Sequence, residues 1–274
     1  MLPERMVVRY GSRARMNEGA SFSGPPTPEF ASVHPASDLY STMKNSGIVH
    51  DQINYYRARA GEYDEWFYRQ GRFDHGEELN KRWFDQVTDV VRALDVFAPT
   101  GDVLEFACGT GLWTERLVQH ATSLTAVDAA PEMLTINQER VANECVRYLQ
   151  SDIFAWQPDQ LYDVAYFSFW LSHVPPERFA DFWDLVRHCL KPGGRVFFVD
   201  SLYEPTTTAN NHTLLGKEST LQDRKLNDGS TYRIVKVYHE AKSLSARLAE
   251  LGWQPTIKQT ANYFLYGSAQ RAES

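Results

Sequence analysis

The chain has 274 residues, 43% of them hydrophobic, enough for one sizeable α/β domain with additions or for two small domains. Its formal net charge of −7 argues against a general nucleic-acid binder, since such proteins rely on basic surface for phosphate contacts. No apolar run approaches the ~18 residues of a membrane span. Three well-separated cysteines (Cys108, Cys145 and Cys189) fit a reducing, cytoplasmic setting and lack the paired spacing of a zinc site, so no metal is expected.

Residues 1–46 are rich in Ser, Pro, Gly and Ala without a period, as in "GASFSGPPTPEFASVHPAS", and read as a disordered leader. Arg5, Arg9, Arg13 and Arg15, without a secretory apolar run, leave a transit peptide open beside a plain tail. "HDQINYYRARAGEYDEWFYRQ" and "GEELNKRWFDQVTDVVRALDVF" carry apolar residues at helical spacing, which predicts two amphipathic helices in a cap over 47–98. Strand-like and helix-like runs then alternate through a core at 99–202. Strands are expected at 102–107, 123–128, 145–150, 162–169 and 195–201, and helices at 112–119, 131–142 and 176–190. Pro192 and Gly193-Gly194 stop the last of these helices. A polar stretch and a hairpin turning at Asp228-Gly229 form an inserted lid, 203–238. A helix at 241–251 and two closing strands, 254–259 and 262–267, complete the chain in 239–274. Alternation of this kind gives a parallel sheet covered on both faces, with ligands beyond the carboxyl ends of its strands.

That is where the chemistry-bearing residues fall. "VLEFACGTGLWTERL" (103–117) is strand, acid, tight turn and helix, but it is neither a G-x-G-x-x-G dinucleotide loop nor a Walker loop ending in Lys-Ser or Lys-Thr. Glu105, just before the turn, would oppose a bound phosphate and suit an ammonium or sulfonium group. Asp128 ends the next strand, where a carboxylate can accept both hydroxyls of a ribose. The pattern therefore describes a nucleoside with a cationic amino-acid tail.

"VLEFACGTG", "AVDAAPEML", "SDIF" and "LKPGGRVFFVD" together resemble the successive motifs of class I S-adenosylmethionine (SAM)-dependent methyltransferases, in particular the branch with the ubiquinone and menaquinone biosynthetic enzymes. The likeness covers about 48–267. It implies a Rossmann-like methyltransferase fold, α/β, with a mostly parallel seven-stranded sheet, helices on both faces, an N-terminal helical cap and the lid. It also implies SAM as cofactor, with Gly109 and Gly111 letting the backbone approach the methionine part, Glu105 near its amine, and Ala107 in the same loop standing where many members have glycine. Asp128 and Ala129 would serve the ribose, Met133 and Ile153 the adenine ring, and Asp152 the adenine amino group. Trp113 and Phe167 would pack on the site. "YYRARAGEYD" resembles the family's Y-x-x-x-A-x-x-Y-D helix over the cofactor, which nominates Tyr56 and Tyr63.

His173, in "FSFWLSHVPPERF", follows the fourth strand and is the candidate catalytic base, with a structural histidine the competing reading. The same segment lacks the Asn/Asp-Pro-Pro-Tyr/Phe motif of enzymes that methylate amino groups of bases or glutamine. Its aromatics suggest an apolar or aromatic small-molecule acceptor. An RNA methyltransferase is disfavoured by the acidic charge. Other SAM chemistry and a regulatory SAM-binding role stay open at this point, as does the oligomeric state.

Overall fold

The computed structural model describes the backbone over 36–272 and side chains from residue 47 onward. The leader expected over 1–46 therefore lies mostly outside the described residues, and its boundary falls within α1 (Ala36–Arg59). The long first cap helix expected to run to residue 70 is instead broken. A 3-10 turn at Ala60–Glu62 separates α1 from the short α2 (Tyr63–Phe67), and α3 (Glu77–Phe97) follows. Gly61 lies in that turn, where glycine's cost to a helix interior is highest.

The sheet strands are β1 (Gly101–Phe106), β2 (Ala121–Asp128), β3 (Val146–Gln150), β4 (Tyr162–Ser168) and β5 (Leu190–Ser201). Between them stand α4 (Thr114–Leu117), α5 (Pro131–Val141) and α6 (Phe179–Cys189). A small hairpin, β6 (Leu221–Lys225) with β7 (Thr231–Val235), turns at the expected Asp228-Gly229. After it come α7 (Ala241–Glu250), β8 (Trp253–Gln259) and β9 (Phe264–Arg271). Two expectations differ. The helix at 112–119 shrinks to the four residues of α4, and β5 begins at Leu190, its pairing with β4 slipping across the Pro-Gly-Gly segment.

The seven strands lie in the order β3-β2-β1-β4-β5-β9-β8, all parallel except β9, which runs against both its neighbours. The chain leaves β1 outward through β2 and β3, then crosses back to β4. A crevice opens at such a reversal, beyond the ends of β1 and β4. Alternate residues of the central strands serve opposite faces. Val103, Val164, Tyr166, Phe197 and Val199 pack with Trp83 and Leu94 of α3 and Leu117 of α4. Leu104, Phe106, Phe167 and Phe198 pack with Phe182 and Trp183 of α6 and Leu244 and Leu248 of α7. Trp83 and Trp183 are fully buried, and truncating either to Ala should cost about 3–5 kcal/mol. No described helix is long and apolar enough to cross a membrane.

Candidate active site

The turn after β1 is held by side chains rather than by a long helix. Ala107, Gly109 and Gly111 all take positive φ (51°, 54° and 92°), which winds the backbone tightly beneath α2. Asn137 of α5 clamps it from behind: its amide donates to Thr114 Oγ1 at 2.9 Å and to the Gly109 carbonyl at 3.2 Å, while its oxygen accepts from Tyr148 at 3.0 Å. In front, Thr110 donates to Asp64 of α2 at 2.6 Å, and Arg140 pairs with the same carboxylate. The cap is thus docked on the loop by an ion pair and a hydroxyl.

Asp128 organises the other wall. Its Oδ2 accepts from Gly109 N and its Oδ1 from Ala130 N, both at 2.9 Å, and burial raises its pKa against these bonds. Each oxygen keeps a lone pair, so Asp128 both ties the two loops and can receive hydroxyls. A cavity with about 660 Å³ of empty space, part of it open to solvent, lies here, and its lining includes Tyr56, Tyr63, Ala107, Gly109, Asp128, Ala129, Met133, Asp152, Ile153 and His173. Ten of the residues nominated from the sequence therefore meet at one place. Asp152 also accepts from Phe154 N at 3.0 Å, a turn role compatible with lining the cavity.

Four nominees stand elsewhere. Phe167 points into the opposite core among Phe182, Trp183 and Phe198 because its position in β4 faces α6. The strand end supplies Ser168, Phe169 and Trp170 to the cavity instead. Gly111 sits behind the loop against Asn137. Glu105 lies one layer below, buried and accepting from Thr114 Oγ1 at 2.7 Å; burial pushes its carboxyl up to about 8. Trp113 packs on Phe67 and Tyr166 and reaches only a small side cavity shared with Ala107 and Gly109.

His173 is buried and fixed on both nitrogens. Nδ1 lies 2.7 Å from the Val235 carbonyl, which can only accept, so Nδ1 carries the proton; Nε2 then accepts from the Tyr56 hydroxyl at 2.9 Å. Burial, with Lys236, Arg224 and Arg59 nearby, holds the imidazole well below its usual pKa and so neutral. Gln52 completes the joint by donating to the His173 carbonyl and accepting from Val235 N, each at 3.2 Å.

A second cavity, also partly open to solvent, shares Tyr56, Tyr63, Phe169 and His173 with the first. Phe169 holds φ = 52°, a strained conformation for a bulky residue, at the point where both meet. The far walls come from α1, the stretch after β5 and the β6–β7 hairpin. They bring in residues the sequence reading missed, among them Arg59, His212, Arg224 and Lys236. Aromatic residues still make up much of this wall, among them Tyr55, Tyr63, Trp66, Phe73 and Tyr238, and the cations stand between them. No motif marked the missed residues as site residues: Arg59 fills a variable position of the "YYRARAGEYD" motif, and the others lie in the polar stretch and hairpin of the lid.

The first cavity fits SAM. Asp128 offers acceptors for a ribose, Met133 and Ile153 offer apolar flanks for a base, and at Gly109 a Cβ would meet nothing within 4 Å, leaving the backbone open to a ligand. Comparisons with known proteins point the same way. Residues 103–194 match a family model described as a methyltransferase domain. A solved DhpI–S-adenosylhomocysteine complex is 34% identical, with a TM-score of 0.69 over 84% of this chain and 99% of that one. The N-methyltransferase NodS of Bradyrhizobium japonicum, solved with S-adenosylhomocysteine, shares the fold at 17% identity, with a TM-score of 0.55 over 81% of this chain and 100% of that one. The ubiquinone biosynthesis O-methyltransferase of Pseudomonas fluorescens (strain Pf0-1) is 26% identical over 163 residues, 56% of this chain and 63% of that relative's length. By the family-model match and the likeness in sequence and fold to these relatives, the chain belongs to the class I SAM-dependent methyltransferases.

Proposed function

We propose that this methyltransferase acts on a small molecule bound in the second cavity, and that SAM occupies the first. The observation that carries the reading is the shared wall of Tyr56, Tyr63, Phe169 and His173, which sets two cavities side by side at the sheet's switch point. When bound, SAM supplies an electrophilic methyl group. The chain's part is to hold donor and acceptor in line, which can contribute roughly 7–11 kcal/mol to lowering the barrier. Ala107, Gly109, Asp128, Ala129, Met133, Asp152 and Ile153 would hold the cofactor, and the lid at 203–238 with the cap would hold the acceptor. His173 is read here as a positioning residue. Its Nε2 lone pair is already taken by Tyr56, so the pair fixes the Tyr56 oxygen at the junction rather than drawing a proton from the acceptor.

The relatives are in keeping with this. Those named above include an enzyme of ubiquinone biosynthesis and NodS, an N-methyltransferase, so they do not choose between oxygen, nitrogen and carbon. The test is turnover with methyl-labelled SAM against phenols, quinones, indoles, amines, organic acids and total RNA, read by mass spectrometry. Label in a small molecule together with S-adenosylhomocysteine is the expected result. Label in RNA, or none anywhere, would refute it.

A further inference from the structure

We infer that the acceptor carries an oxyanion, a carboxylate or phosphoryl group, held by Arg59, Arg224 and Lys236 in the second cavity. This rests on the reading of that cavity as the acceptor site. Among its described lining residues there is no Asp or Glu. Arg59 is buried; its Nη1 donates to the Tyr55 hydroxyl at 2.8 Å and its guanidinium stands 5.0 Å from the Tyr63 ring centre, while its Nε has no partner among the described residues. Arg224 likewise leaves Nη1 buried and without a partner among the described residues. Lys236 is buried, donates to Ser172 at 2.7 Å and has Asp200 at 3.6 Å.

Three cations converge here, and among the described residues only Lys236 has a carboxylate within 4 Å. Such a cluster is costly in a low-dielectric wall unless a ligand supplies the missing charge and acceptors. The cluster's own chemistry shows the imbalance. Burial, opposed by Asp200, brings the Lys236 ammonium down to about 8, and burial with Arg224 brings His212 down to about 4. An oxyanion satisfies both needs at once, since it accepts several N–H donors and cancels charge. A protonated amine would meet three like charges. A neutral phenol or amide could accept a hydrogen bond but would leave the clustered positive charge uncancelled.

Calorimetric titration of the S-adenosylhomocysteine-saturated protein tests this without turnover, with inorganic phosphate, benzoate, benzamide and benzylamine as probes. Phosphate or benzoate should bind, the stronger of the two marking phosphoryl or carboxylate as the source, while benzamide and benzylamine should not. Arg224→Gln should weaken the anion by about 10- to 100-fold, with S-adenosylhomocysteine affinity unchanged and part of the loss recovered by Arg224→Lys. Binding of benzamide or benzylamine as tight as that of the anions, or anion affinity unmoved by Arg224→Gln, would overturn the inference. The two readings fail separately. Methylation of neutral phenols without anion binding would remove only the oxyanion, whereas anion binding with label found only in RNA would remove the small-molecule acceptor.

Discussion

Two glycines two residues apart in the same loop should fail in different ways when given a methyl group. At Gly111, with φ of +92°, a Cβ would sit 2.7 Å from Asn137 Oδ1, 2.8 Å from its Cγ and 3.2 Å from its Cα, so the side chain that clamps the loop must move. Left-handed backbone costs a non-glycine residue about 1–2 kcal/mol. Displacing Asn137 strains buried bonds to Thr114, Gly109 and Tyr148, each worth about 1 kcal/mol net and more if a partner is left unmatched. Gly111→Ala should therefore lose about 3–5 kcal/mol of stability, an exceptional value for one methyl group. At Gly109, with φ of +54°, a Cβ meets nothing within 4 Å, so Gly109→Ala should lose only the backbone strain, about 1–2 kcal/mol. Gly109 lines the cavity proposed for SAM, however, and overpacking of about 1–3 kcal/mol against the bound cofactor should weaken SAM roughly 5- to 150-fold. Urea unfolding and calorimetry read the two effects. Equal stability of both variants, or wild-type SAM affinity in Gly109→Ala, would refute the placement of the loop.

Glu105, its carboxyl raised by burial to about 8 from an ordinary value near 4.5, stays protonated in the fold while the unfolded chain ionises. Stability should then fall as pH rises from about 4.5 to 8. Glu105→Gln should flatten that slope in urea titrations across the window, and parallel curves would show that the group ionises freely when folded. His173→Ala should lower kcat with no change in the shape of the pH–rate profile between pH 6 and 9; a deficit that vanishes at high pH would make it a general base after all. Replacing 206–220 with a short glycine linker should spare SAM binding and abolish turnover, because Thr207, Thr208 and His212 line only the second cavity. Equal loss of both would make that segment scaffold.

The alternation of strands and helices, and the residues at the ends of β1 and β2, were legible because local pattern determines them. Asp128 ends a strand and Gly109 and Asp152 closely follow one, and strand ends in such a sheet converge on one crevice. Phe167 was misplaced because β4 is apolar on both faces, so its sequence carries no alternation to reveal which way a side chain points. Arg59 was hidden for a different reason. "YYRARAG" shows Arg57 and Arg59 alike, yet Arg57 turns outward to Glu132 while Arg59 is buried against Tyr55, Tyr63 and Phe73. Arg224 and Lys236 reach the same cavity only because the β6–β7 hairpin folds back on α1. Only tertiary packing joins the three.

The proposed placement of SAM in the first cavity rests above all on Asp128, which is the natural target for the most direct measurement. Calorimetric titration of SAM into the wild type and Asp128→Ala should show binding to the first and a loss of about 10- to 150-fold in the second, since charge-assisted hydrogen bonds contribute roughly 1.5–3 kcal/mol. Part of that loss would come from the freed amides of Gly109 and Ala130, so the thermal midpoint should be recorded alongside. Unchanged SAM affinity in Asp128→Ala, or a wild type that binds NADH and not SAM, would contradict the assignment.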